Sequence, residues 1–237
     1  MSRRRSQSTP GPYLLHVELV PERVTEPDRF PYTLPVIQSL IQQETLKFHP
    51  SVTFLVGENG TGKSTFLEAV AVASGLNAEG GSRNFQFATR PSHSRLDECL
   101  RLARAPTILR DSYFLRAETF YNVASEIERL EVGEFYGGGS LHEQSHGESF
   151  FTLFQQRFGG RGLYILDEPE AALSPNRQLA FLALLHDYCR QGSQFLIATH
   201  SPIIMAYPNA WIYVLGERGA TLTPYEDTEH FLVTRGF

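Results

Sequence analysis

The chain has 237 residues, 41% of them hydrophobic, and a formal net charge of −5. That length and apolar content suit one large domain, or one domain with a subdomain, with a core of its own. At a pI near 5.9 the chain as a whole is not a nucleic-acid-coating protein, so any DNA contact has to be local. Lys47 and Lys63 are its only lysines, and Cys99 and Cys189, its two cysteines, fall in stretches that read as helices. Buried free thiols in a reducing compartment are expected rather than a disulfide.

Residues 1–10, MSRRRSQSTP, lack the apolar centre of a signal peptide, and residues 1–12 read as a disordered tail with a solvated basic triplet, Arg3 to Arg5. No run approaches the roughly 18 apolar residues that span a bilayer. A cytoplasmic protein without an integral membrane segment is expected, with residues 13–237 as one domain. Residues 13–20 alternate as a strand does, 21–35 form a proline-punctuated loop, and 36–43 predict a short helix. Residues 51–56 are a β-branched apolar run fit for a buried strand, followed by a glycine loop at 57–64 and a helical pattern at 65–73.

A Gly- and Ser-rich loop from residue 76 leads to a predicted helix at 94–105, with Leu96, Leu100 and Ala103 at helical spacing. Residues 111–119 have the aromatics of a strand, 123–130 read as a helix, 137–139 (GGG) as a break and 149–158 as an aromatic-rich helix. Strands are predicted at 162–166, 193–198, 210–215 and 220–225, with a helix at 176–190. This alternation argues for an α/β domain with a mainly parallel sheet, carrying a mostly helical insertion over about residues 76–160.

Residues 57–64, GENGTGKS, match G-x-x-x-x-G-K-[ST] at every fixed position, between a predicted strand and a predicted helix. Gly57, Gly60 and Gly62 let the loop curl so that its amide N–H groups, those of Glu58, Asn59 and Thr61 among them, face phosphate oxygens. The helix start at Lys63, Ser64 and Thr65 adds its partial positive charge. Lys63 is placed to reach the β and γ phosphates, and the Ser64 hydroxyl to bind Mg2+. A chance glycine-rich turn with a surface lysine would not need the flanking strand and helix. Residues 163–168, LYILDE, read as a buried strand ending in two carboxylates. Asp167 is the candidate Mg2+ ligand, and Glu168 the candidate base for the water that attacks the γ phosphate. The plain alternative is a strand end carrying two solvated acids.

Asp167-Glu-Pro169 with Ala172-Leu-Ser174, the strand that ends in Thr199-His200, and the upstream Ser145-His-Gly-Glu148 resemble motifs of the ABC-class ATPases. They correspond to that class's extended acidic motif with the next loop, its switch histidine and its signature loop, and they come in family order. The likeness runs from about residue 51 to 215. It is to small stand-alone bacterial members of the soluble repair and chromosome-maintenance branch, carried by GENGTGKST, FLRAETF, SHGESF, LDEPEAALSP and ATHSP.

The resemblance implies a P-loop NTPase core with a helical subdomain between the phosphate loop and the acidic motif. It also implies ATP and Mg2+ as cofactors and an ATP-dependent homodimer. In that dimer Ser145, Gly147 and Glu148 close over ATP held by the other chain, and His200 and Glu118 join Glu168 in catalysis. A head of this kind drives a conformational switch, acting on DNA or a protein partner. His146 stands where the family has a glycine, and the family's glutamine loop has no glutamine here, leaving Glu118 or Gln86 to stand in. Phe30 and Tyr32 are candidates for stacking on adenine, though aromatics beside prolines are commonly packing residues.

Two other functions compete. The length and core motifs also suit the nucleotide-binding subunit of a membrane transporter. HEQSHGESF, residues 142–150, contains the H-E-x-x-H spelling of a zinc protease in His142, Glu143 and His146. Gly137 to Gly139 and Gly147 flank that stretch with helix breakers, against the regular helix such a site needs.

Overall fold

The computed structural model describes residues 12–43, 45–78, 80–82, 95–116, 154–155 and 157–236. Within them two sheets form. The strands are β1 (Leu14–Leu19), β2 (Thr45–Lys47), β3 (Val52–Gly57), β4 (Gly81–Ser82), β5 (Leu100–Arg104), β6 (Asp111–Arg116), β7 (Gly162–Asp167), β8 (Gln194–Ala198), β9 (Trp211–Gly216) and β10 (Gly219–Leu222). The helices are α1 (Pro35–Gln43), α2 (Lys63–Ala73), α3 (Leu96–Cys99), α4 (Pro175–Arg190), α5 (Pro202–Met205) and α6 (Glu229–Gly236).

The seven-stranded sheet has the order β10-β9-β3-β8-β7-β6-β4. Its five inner strands run parallel, and only the edge strands β10 and β4 are antiparallel. Strands β3, β7 and β8 are buried along their whole length, which is why they read as unbroken apolar runs rather than as alternation. The two-residue period still sorts their side chains. Leu55, Leu163, Ile165, Leu196 and Ala198 enter the core under α1, α2 and the small sheet. Phe54, Val56, Tyr164, Leu166, Phe195 and Ile197 enter the one under α4 and α5 with Phe154, Phe158 and Phe181.

The predicted α/β architecture with a mainly parallel sheet stands. Three local readings differ. The helix expected at 94–105 is a single turn, α3, that passes into β5, because Leu100 and Leu102 also alternate at strand spacing and β1 offers a free edge. The last predicted strand stops at Leu222, since Pro224 has no N–H to donate to a ladder. The described part of the segment 76–160 therefore supplies strands β4, β5 and β6. The expected helix at 123–130, the glycine break at 137–139 and most of the helix at 149–158 lie outside the described residues. Helix α6 was not anticipated at all.

The second sheet, β2-β1-β5, is antiparallel. Two side chains of the main sheet tie the small one to it: the Tyr213 hydroxyl on β9 donates to the Lys47 carbonyl at 3.0 Å, and the buried Gln194 makes four bonds. The Gln194 carbonyl on β8 accepts from the N–H groups of Tyr13 (2.9 Å) and Leu14 (2.8 Å), and its amide donates to the carbonyls of Leu14 (2.8 Å) and His49 (3.0 Å). Gln194→Ala would leave four backbone groups unpaired in a site from which water is excluded. A loss of about 3 kcal/mol in unfolding free energy is expected. A urea midpoint shift worth under about 1 kcal/mol would show that Gln194 is not what holds the two sheets together.

Tyr32 is a core residue, 8% exposed, with its hydroxyl 3.1 Å from Cys99 Sγ, while Phe30 is exposed. Cys99 is buried and Cys189 half-buried, both as free thiols in helices as expected. No described helix is long and apolar enough to cross a membrane.

Candidate functional site

Register explains why distant motifs meet. β3 and β8 align Leu55 with Ala198, β7 and β8 align Asp167 with Ala198, and β6 and β7 align Arg116 with Asp167. The residues that follow these positions leave the sheet at its carboxyl edge, the place where open parallel sheets receive ligands. Gly57–Gly62, Asp167, Glu168 and His200 therefore share one rim.

The loop from Gly57 to Gly62 depends on glycine at both ends. A Cβ on Gly57 would sit 2.5 Å from the Leu215 carbonyl oxygen of the neighbouring strand β9. Gly62 has φ of 95° and caps the start of α2, and a Cβ there would press on Leu34 and Val36 at 3.0–3.1 Å. Glu58, Asn59 and Gly60 are exposed and Thr61 is half-buried, with its hydroxyl donating to the Glu58 carbonyl at 2.9 Å. Thr65 follows on the first turn of α2.

Lys63 is 4% exposed, and its ammonium donates to the carbonyls of Gly57 (2.7 Å) and Glu58 (3.0 Å). Burial pulls its pKa below the usual lysine value, against the opposing pull of Glu168, Asp167 and Glu170. The lysine is thus folded onto the loop's own carbonyls, holding its charge inside the cradle.

The Ser64 hydroxyl donates to Asp167 Oδ1 at 3.0 Å, and Asp167 is 6% exposed at the end of β7. A hydroxyl and a carboxylate in contact form a donor set of the hard-oxygen kind that suits Mg2+. Glu168, next along, adopts the left-handed backbone conformation (φ 52°, ψ 52°), unusual for a side-chain-bearing residue. Its N–H donates to the Ala198 carbonyl at 3.0 Å, which pins the turn to β8. A residue held in this region costs about 1–3 kcal/mol and persists where the surroundings dictate it. The conformation brings Glu168 Oε1 to 3.5 Å from His200 Nε2.

Among the described site residues, the phosphate loop, Ser64, Asp167, Glu168 and His200 lie together at the rim. Glu118, Ser145, Gly147 and Glu148 lie outside the described residues, as do Gln86, His142, Glu143 and His146. No group of three or more His, Cys, Asp or Glu side chains that could hold a metal ion is found among the described residues. Three neighbours of the rim were not foreseen. Arg116 places Nη1 at 2.7 Å from Glu68 and Nε at 3.8 Å from Asp167. Glu170 accepts from the His200 N–H. His230 on α6 has its ring centre 6.4 Å from that of His200. Arg116 was legible in principle, as a charged residue ending an apolar strand.

The family model described as "AAA domain" matches residues 37–107, and the one described as "AAA domain, putative AbiEii toxin, Type IV TA system" matches residues 140–206. Each match spans less than half of the chain, and both models are described as AAA domains. Between them the two matches cover the phosphate loop on one side and the acidic pair and His200 on the other. None of the curated proteins matches the chain. Among solved structures, the SMC head domain from Thermotoga maritima is 16% identical, with 76% of this chain covering 92% of that one at a TM-score of 0.41. A nucleotide-free ATP-binding cassette from an ABC transporter is also 16% identical, with 81% of this chain covering 87% of that one at a TM-score of 0.44.

Proposed function

We propose that this ATPase domain binds and hydrolyses ATP with Mg2+, dimerises around the nucleotide, and uses the cycle of closing and opening to drive a partner protein or DNA. The observation that supports this best is the convergence at one sheet edge of Lys63, Ser64, Asp167, Glu168 and His200. Each has a separate chemical task there.

The loop amides of residues 58–62 and the N-terminus of α2 bind the polyphosphate, and Lys63 turns from its carbonyl partners to the β and γ phosphates. Ser64 and Asp167 are the residues that would hold Mg2+, which when bound offsets charge on the β and γ oxygens. Glu168 accepts a proton from the attacking water. His200, within reach of that carboxylate, orients it and donates to the terminal phosphate. Ser145, Gly147 and Glu148 complete the site from the second chain, and Glu118 assists near the water. Residues 64–144 separate Lys63 from Ser145, too short a stretch for long coiled-coil arms, so the moving part is a compact head. Residues 1–12 are proposed as a tail and 13–237 as one domain.

The direct test is phosphate release by the purified protein, with Mg2+ and after chelation, together with its mass in solution with a non-hydrolysable ATP analogue. Release that stops on chelation and a doubled mass are expected. No release would sink the ATPase reading, and an unchanged mass at saturating analogue would sink the dimer.

A further inference from the structure

Helix α6 belongs to no motif, yet it forms one wall of a cavity of about 410 Å3. The opposite walls are Gly57 and Glu58 of the phosphate loop and His200 and Pro202, while Glu229, His230, Val233 and Thr234 line it from α6. The carbonyls of Gly57 and Glu58 are the ones that hold the Lys63 ammonium. The cavity therefore opens at the end of the loop where the lysine delivers its charge, the β and γ end of a bound nucleotide. His200 and the half-buried His230 face it from two different elements, with ring centres 6.4 Å apart.

We propose that His230 is a second histidine contact for the terminal phosphate of a nucleoside triphosphate, so that α6 tells the triphosphate from the diphosphate. The proposal rests on the nucleotide reading of the phosphate loop and adds to it a residue from the last element of the described chain.

The surroundings of His230 support this. The groups facing it are His200 after β8, Glu229 on its own helix, Lys63 on α2 and Glu170 in the turn after β7. Burial first, and then His200, hold its imidazole below the ordinary histidine value; Lys63 adds to this, and Glu229 and Glu170 oppose it. A phosphate dianion entering the cavity reverses the balance and favours the imidazolium, a charge-assisted donor. Among the described residues, the hydrogen bonds that fasten helix α6 lie near its start. The Tyr225 hydroxyl donates to the Pro202 carbonyl at 3.1 Å, the Phe231 N–H reaches Thr228 Oγ1 at 3.3 Å, and Leu232 and Val233 are more than half exposed. Contact at His230 thus couples the terminal phosphate to a helix whose Leu232 is exposed.

The test is equilibrium binding of a fluorescent non-hydrolysable ATP analogue and of the matching ADP analogue to the wild-type chain and to His230→Gln, at about pH 6.5 and 8. In the wild type the preference for triphosphate is expected to weaken as pH rises. In His230→Gln that preference falls roughly tenfold and changes less with pH, His200 remaining, while diphosphate affinity stays within about twofold. Hydrogen exchange of the amides of residues 229–236 slows in the wild type with the triphosphate and not with the diphosphate. An unchanged preference in the variant, or equal weakening of both ligands, overturns the role of His230. Failure of the wild type to bind either analogue overturns the nucleotide reading with it.

Discussion

Glu168→Gln is expected to slow ATP hydrolysis by about 10²–10⁴-fold, the range that a positioned general base contributes, with ATP affinity nearly unchanged. The amide keeps the shape of the side chain but exchanges one acceptor oxygen for an N–H donor, and it cannot take a proton from water. The hydrogen bonds that shape the phosphate cradle do not run to it: Lys63 is held by backbone carbonyls, and Ser64 by Asp167. The variant should therefore accumulate in its loaded, closed state. Size-exclusion with ATP and Mg2+ is expected to show a stable dimer that is absent with ADP, and phosphate release separates chemistry from binding. A variant that hydrolyses within about tenfold of the wild type would move the base elsewhere. One that stays monomeric at saturating ATP would contradict the dimer while leaving the role of Glu168 intact.

The backbone at Glu168 sharpens this expectation. A left-handed residue at a strand end is a local cost, and here it aims the carboxylate at His200 rather than outwards from β7. No composition or periodicity signal foretells that turn. The glutamate was legible because it follows an apolar strand and an aspartate, but its pairing with His200 depends on the β7–β8 register and on the Glu168 N–H bond to Ala198. The same contrast runs through the fold. β3, β7 and β8 announce themselves because they are buried on both faces. β5 was misread because Leu96, Leu100 and Ala103 fit a helix as well as Leu100 and Leu102 fit a strand, and only the open edge of β1 decides between them. Gln194 looks like an ordinary polar residue starting a strand, and its four bonds exist only once a second sheet is laid against the first. His230 lies in a stretch with no motif, and its place beside the phosphate loop is set by the turn at Tyr225–Asp227 and the contact of Tyr225 with Pro202.

Lys63→Ala is expected to weaken ATP binding by at least about 100-fold, since it removes a charged donor to two phosphates from a site shielded from water. The effect on the nucleotide-free protein should be small, and the reason lies in the environment of the ammonium. Burial lowers the lysine's pKa in the folded state. The folded chain therefore holds that proton less readily than the unfolded chain does. The charge costs stability at neutral pH, and this cost fades only as pH rises through the lowered value towards the unfolded one. Alanine removes the cost together with the packing of the lysine stem, so unfolding free energy without nucleotide should stay within about 1 kcal/mol of the wild type. Ligand at about 100 times Kd should stabilise the wild type by about 2.7 kcal/mol and the variant hardly at all. Thermal melts with and without ATP read both quantities in one experiment. A variant that melts much lower without nucleotide would make Lys63 a structural residue of the loop. One that keeps its stabilisation by ATP would show that the phosphates bind without the lysine, and the cavity shared with His230 would then have to be assigned to another ligand.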